Sequence, residues 1–151
     1  MWNFKRSITL SIAVSFIIGA LLAFCAFALP GLITWYFEAA HSINAPIKLY
    51  KTVLTCFYIC LPFAFVALFS LLKILFAVNR QEIFTNANIQ RLRILSWCCF
   101  AVALITLVGG WFYYPLLLIA AAAGFIGLIL RVIKNIMYSA KILREENDLT
   151  I

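Results

Sequence analysis

Acidic side chains are scarce in this 151-residue chain, which has five Asp and Glu residues and a single histidine. Charged residues of either sign make up 11%, against roughly 25% in an ordinary soluble domain. That is too little charge to cover a water-soluble globule, and too little to keep a disordered chain solvated. The five cysteines form no C-x-x-C pair, and no H-E-x-x-H, G-x-S-x-G or phosphate-cradling glycine loop occurs. The familiar metal, redox, hydrolase and nucleotide signatures are therefore missing, and no cofactor is expected. What the chain has instead is apolar length: 66% of its residues are hydrophobic, against roughly 45–50% in soluble domains.

That apolar length falls into four runs, at residues 8–29, 52–77, 94–111 and 116–133. Each is close to the ~20 residues needed to cross a ~30 Å hydrocarbon core as a helix, the conformation that satisfies every backbone polar group within one segment. The expected fold class is all-α: a polytopic membrane protein with four transmembrane helices forming one bundle domain. Expected connections are an outer loop at 30–51, an inner loop at 78–93 and a cationic amphipathic tail over 134–151.

Lys5, Arg6, Lys73, Arg80, Arg91, Arg93, Arg131, Lys134, Lys141 and Arg144 fall on one side of these spans, and Lys48 and Lys51 on the other. The excess of Lys and Arg marks the cytoplasmic side, so both termini are expected there. The tryptophans agree with this arrangement, with Trp35 and Trp111 near the outer boundary and Trp2 and Trp97 near the inner one. Ala26-Phe27-Ala28 after a basic start resembles a signal-peptide cleavage site. However, the apolar run exceeds the ~7–15 residues of such a peptide, so a retained first span is expected. The surplus positive charge sits at span ends and points to anionic lipid rather than to nucleic acid.

Helices in lipid associate through small residues and polar contacts. Ser7, Ser11, Ser15, Gly19 and Ala23 recur every four residues, and Ala120 with Gly124 and Ala123 with Gly127 repeat the device in the fourth span. Both stripes are expected to pack internally rather than to form a homodimer face, with the serines bonding across the contact. Pro62 lies inside the second span and opposes the Tyr58 carbonyl, so a kink or hinge is expected there. Lys73 is expected to snorkel outward. Thr85 is the expected N-cap of the third helix, with Phe84 and Ile89 as a hydrophobic staple. The second outer connection, residues 109–115, reads as a tight aromatic hairpin. The cysteines read as small packing residues, although a Cys25 bridge to Cys56 or Cys60 is conceivable. His41, alone in the outer loop, reads as incidental. No Asp or Glu lies within a span, which argues against an ion-coupled antiporter or an intramembrane enzyme.

Two polar segments carry a family likeness. Residues 82–93 (EIFTNANIQRLR) resemble the pattern pF-[ST]-x-x-N-x-x-R-L-R, departing from it at Ile83, and residues 143–151 (LREENDLTI) resemble the pattern L-[KR]-x-E-x-D-L-T-[IV]. The chain thus resembles a bacterial family of small four-span membrane proteins, domain of unknown function 2975. The resemblance implies a location in the bacterial inner membrane and carries over no catalytic residues. It also implies genetic association with a small helix-turn-helix regulator of the Cro/C1 type. The function expected is a non-enzymatic membrane partner, or sequestering factor, for a cytosolic transcription regulator. Candidate docking residues are Phe84, Thr85, Asn88, Arg91, Arg93, Arg144, Glu145, Glu146, Asp148 and Ile151. The rival expectation is a small transporter or channel subunit acting as a homo-oligomer.

Overall fold

The computed structural model describes residues 4–39, 47–80 and 84–149, all within or beside four helices. These are α1 (Phe4–Ala39), α2 (Ile47–Asn79), α3 (Asn86–Gly110) and α4 (Pro115–Leu149). All four are long and apolar enough to cross a membrane. At ~1.5 Å per residue, the 36-residue α1 and 35-residue α4 outreach a ~30 Å core, so their ends project beyond it.

Successive helices pack antiparallel in chain order, α1 on α2, α2 on α3 and α3 on α4, and among the described residues no other pair touches. The register shows in paired positions. Gly19 faces Leu68 at one level of the first interface, and Ala26 meets Tyr58 at another. Gly109 abuts Cys56 while Arg91 reaches Lys73, and Gly127 faces Cys99 while Asn86 meets Lys141. Flanked on two sides, α3 is the spine and buries Asn88, Leu92, Leu95, Ser96, Cys98, Thr106, Gly109 and Gly110.

The distribution of side chains is inverted relative to a soluble protein. Ser15, Ser70, Asn88, Ser96 and Thr106 are buried, whereas Phe27 and Trp111 are each 89% exposed amid a continuous apolar exterior. Water would not tolerate an apolar surface of that extent, but lipid is the matching solvent.

Close approach explains two glycines. A Cβ on Gly109 would stand 2.6 Å from the Cys56 sulfur and 2.9 Å from Leu116 Cδ1, so three helices converge on a position with no room for a side chain. A Cβ on Gly127 would lie 3.3 Å from Cys99 Cβ. Beside it, the Ser96 hydroxyl donates to the Gly127 carbonyl at 2.9 Å, a buried bond joining α3 to α4. The small-residue stripes of the first and fourth spans lie in these interfaces: Ser15 and Ala120 are buried, Ser11, Gly19, Ala23 and Gly124 half-buried. The first-span serines bond differently from expectation. Ser11 and Ser15 donate back to the Ser7 and Ser11 carbonyls of their own helix, at 3.1 and 2.8 Å. A hydroxyl one turn on reaches its own i−4 carbonyl more readily than a facing helix.

The first connection is shorter than the expected 30–51 loop, because α1 continues through Pro30 to Ala39 and α2 begins at Ile47. Proline deprives the carbonyl four residues earlier of its helical donor, and here that carbonyl belongs to Ala26. The Tyr58 hydroxyl of α2 donates to it at 3.1 Å. The missing bond is replaced from the neighbouring helix, which lets the helix persist past the proline. Likewise α2 runs unbroken through Pro62. At the other end of the chain, α4 passes through Glu145 and Glu146 to Leu149. Glu145 is paired with Lys141 at 3.1 Å across one helical turn, and neither glycine nor proline intervenes. His41, Pro46, Glu82, Ile83, Trp2 and Ile151 lie outside the described residues.

Candidate functional site at the basic end

The antiparallel register brings the end of α2, the start of α3 and the far half of α4 to one end of the molecule. Arg80, Arg91, Arg93, Arg131, Lys134, Lys141 and Arg144 gather there with Lys73. The start of α3 is set locally. Thr85 occupies the N-cap with extended backbone (φ −89°, ψ 144°), and its carbonyl accepts from the amides of Asn88 and Ile89 at 3.0 and 3.3 Å. Its side chain makes no capping bond, so the cap works through backbone geometry rather than through the hydroxyl.

Asn88 is only 1% exposed and therefore cannot present itself to a partner, contrary to its place among the docking candidates. Its Oδ1 accepts from Arg91 Nη1 at 2.9 Å, and the same Nη1 reaches the Lys73 carbonyl of α2 at 3.4 Å. Asn88 and Arg91 thus tie α3 to α2. The clue was available in sequence: Asn88 stands four and seven residues before Leu92 and Leu95, on the face that α3 buries. Lys73 is exposed. Its ammonium lies 4.3 Å over the exposed Phe69 ring one turn back along α2, a cation–π contact worth about 0.5–1 kcal/mol at an exposed site.

On the other side of α3, Lys141 Nζ donates to Asn86 Oδ1 at 2.7 Å while also holding Glu145. This clasp joins the α4 tail to the start of α3, making one surface of the two polar motifs. Phe84, Thr85, Arg144, Glu145 and Glu146 are exposed on these segments. Asp148 sits in the last turn of α4.

Between α3 and α4 the basic end opens into two adjoining cavities that share Arg93 and Lys134. One is about 60 Å3 and adds Ser96, Trp97 and Arg131; the other is about 320 Å3 and adds Asn86, Gln90 and Tyr138. A third, of about 340 Å3, lies between α2 and α3 beside Lys73, Arg80 and Arg91. The opposite end carries an apolar cleft of about 480 Å3 between α2 and α3, with Lys51 at its rim. All five cysteines are free, so the conceivable Cys25 bridge is not formed. Among the described residues no group of three His, Cys, Asp or Glu side chains is placed to hold a metal.

No curated protein and no solved structure matches this chain. Residues 14–151, which include both polar motifs and all but the first helix's opening turns, match the family described as "Protein of unknown function (DUF2975)". The chain, with its four helices long and apolar enough to cross a membrane, belongs to that family.

Proposed function

We propose that this protein is a non-enzymatic component of the bacterial inner membrane whose basic end faces the cytoplasm and docks a cytosolic protein. A helix-turn-helix regulator is the foremost candidate. The observation that carries the reading is the Lys141–Asn86 contact at 2.7 Å. It merges two segments 55 residues apart in the chain into one polar face, which presents Phe84, Thr85, Arg144, Glu145 and Glu146. The cluster of Lys and Arg at that end supports its cytoplasmic placement. Mixed charges beside an exposed aromatic suit a reversible protein contact, in which rim charges set orientation and on-rate.

Detergent-extracted protein would be compared with a variant lacking residues 145–151 and with Lys141→Ala, each probed with the purified regulator encoded beside it. The intact chain should retain the regulator, the truncation should lose it, and Lys141→Ala should weaken it. Equal retention by all three would refute the reading.

A further inference from the structure

We infer that the cleft between α3 and α4 at the basic end is a binding site for the phosphate headgroup of an anionic phospholipid. Arg93 of α3 and Arg131 and Lys134 of α4 line the smaller cavity together, and Arg93 and Lys134 continue into the larger one. Among the described residues no carboxylate lines either cavity; Glu145, further along α4, is engaged by Lys141. Three cations sharing a lining that holds no carboxylate among the described residues repel one another, and an anion of two or more oxygens relieves that repulsion. Arginine suits the task because its planar fork presents paired donors to phosphate.

The remaining polar groups fit the same ligand. Trp97 lines the smaller cavity and Tyr138 the larger; each side chain carries one donor suited to a phosphate oxygen, and both types are at home at the headgroup level. The Ser96 hydroxyl, already committed to the Gly127 carbonyl, closes the floor. The 60 Å3 cavity is several times the ~10–15 Å3 a water molecule needs, enough for a compact oxyanion. The adjoining 320 Å3 has room for the rest of a headgroup.

Depth selects a lipid over a soluble phosphate ester. Trp97 is 62% exposed and flanks the site together with Ile94, itself 42% exposed, where the apolar exterior of α3 begins. A phosphate held by Arg93 and Lys134 therefore has its acyl chains beside that exterior. The cleft between α2 and α3 is less suited to the role, because Arg91 is engaged by Asn88 and Lys73 lies on Phe69.

This site does not depend on the docking proposal, and its test involves no protein partner. The purified full-length chain would be titrated in zwitterionic nanodiscs with phosphatidylglycerol, counting bound lipid by native mass spectrometry. Phosphatidylcholine and free glycerol phosphate would serve as the other arms. Arg131→Gln/Lys134→Gln should weaken phosphatidylglycerol retention by at least roughly tenfold. Arg131→Lys/Lys134→Arg should restore most of it, with all variants monodisperse and equally helical. Arg80→Gln/Arg144→Gln, which removes the same charge from the same end, should retain the lipid as the parent does. Equal loss in both glutamine pairs would overturn the proposal in favour of diffuse surface attraction. Retention of glycerol phosphate as tight as that of the lipid would overturn the assignment to membrane lipid.

Discussion

Removing the Tyr58 hydroxyl isolates the device that carries α1 past its proline. In Tyr58→Phe the ring stays, but the Ala26 carbonyl, denied its helical donor by Pro30, loses the donor at 3.1 Å. Both atoms lie within spans, where water cannot substitute. An unsatisfied carbonyl shielded from water costs about 1–3 kcal/mol, whereas interhelical hydrogen bonds in membranes average ~0.6 and reach ~1.7 kcal/mol. At 3.1 Å the bond is longer than the usual 2.7–2.8 Å for O–H···O, which places the cost near about 1 kcal/mol, roughly a fivefold shift in the folded ratio. The partner variant is Pro30→Ala, which returns an N–H to the Ala26 carbonyl. In that background Tyr58→Phe should cost close to nothing. Reversible unfolding in mixed micelles, followed by far-UV circular dichroism for all four proteins, gives the coupling energy directly. If Tyr58→Phe costs the same with and without Pro30, the proposed replacement bond does not exist.

The same unfolding assay checks three further expectations. Gly109→Val should destabilise by at least about 1–3 kcal/mol, because its Cβ would overlap Cys56 and Leu116, whereas Gly31→Ala should be nearly neutral because nothing lies within 4 Å. Asn88→Leu should cost about 1–3 kcal/mol by removing the acceptor at 2.9 Å from Arg91 and leaving it the longer bond to the Lys73 carbonyl; a neutral result would refute the placement of Asn88 in the α2–α3 interface. Lys141→Ala should change global stability by no more than about 0.5–1 kcal/mol, as expected for exposed contacts. It should nevertheless speed amide exchange across the last two turns of α4, and unchanged exchange would count against the clasp to Asn86.

Composition and apolar length were enough to read the four helices and their class, because a lipid-facing span needs only a continuous run of apolar side chains. The start of α3 was legible too, since Thr85 does stand at the N-cap, although its hydroxyl makes no capping bond. Pro30 was not, because its local chemistry signals a break and its rescue comes from Tyr58, 32 residues away. At the candidate site, the motif around residues 82–93 drew attention to Arg91 and Arg93 alike. Only packing separates them, sending Arg91 inward to Asn88 and Arg93 into the cleft with Lys134. Neighbouring residues on one helix can thus take opposite roles, decided by the helix that faces each.

The account rests on four crossings that return the polar motifs of α3 and α4 to the same side of the membrane. Single cysteines placed at residues 84, 112 and 144 in a cysteine-free chain, challenged in intact cells with a membrane-impermeant maleimide, test this directly. Residue 112 should react while residues 84 and 144 stay protected until the membrane is opened. Reaction of 84 and 144 from opposite faces would contradict the topology and every proposal built on the basic end.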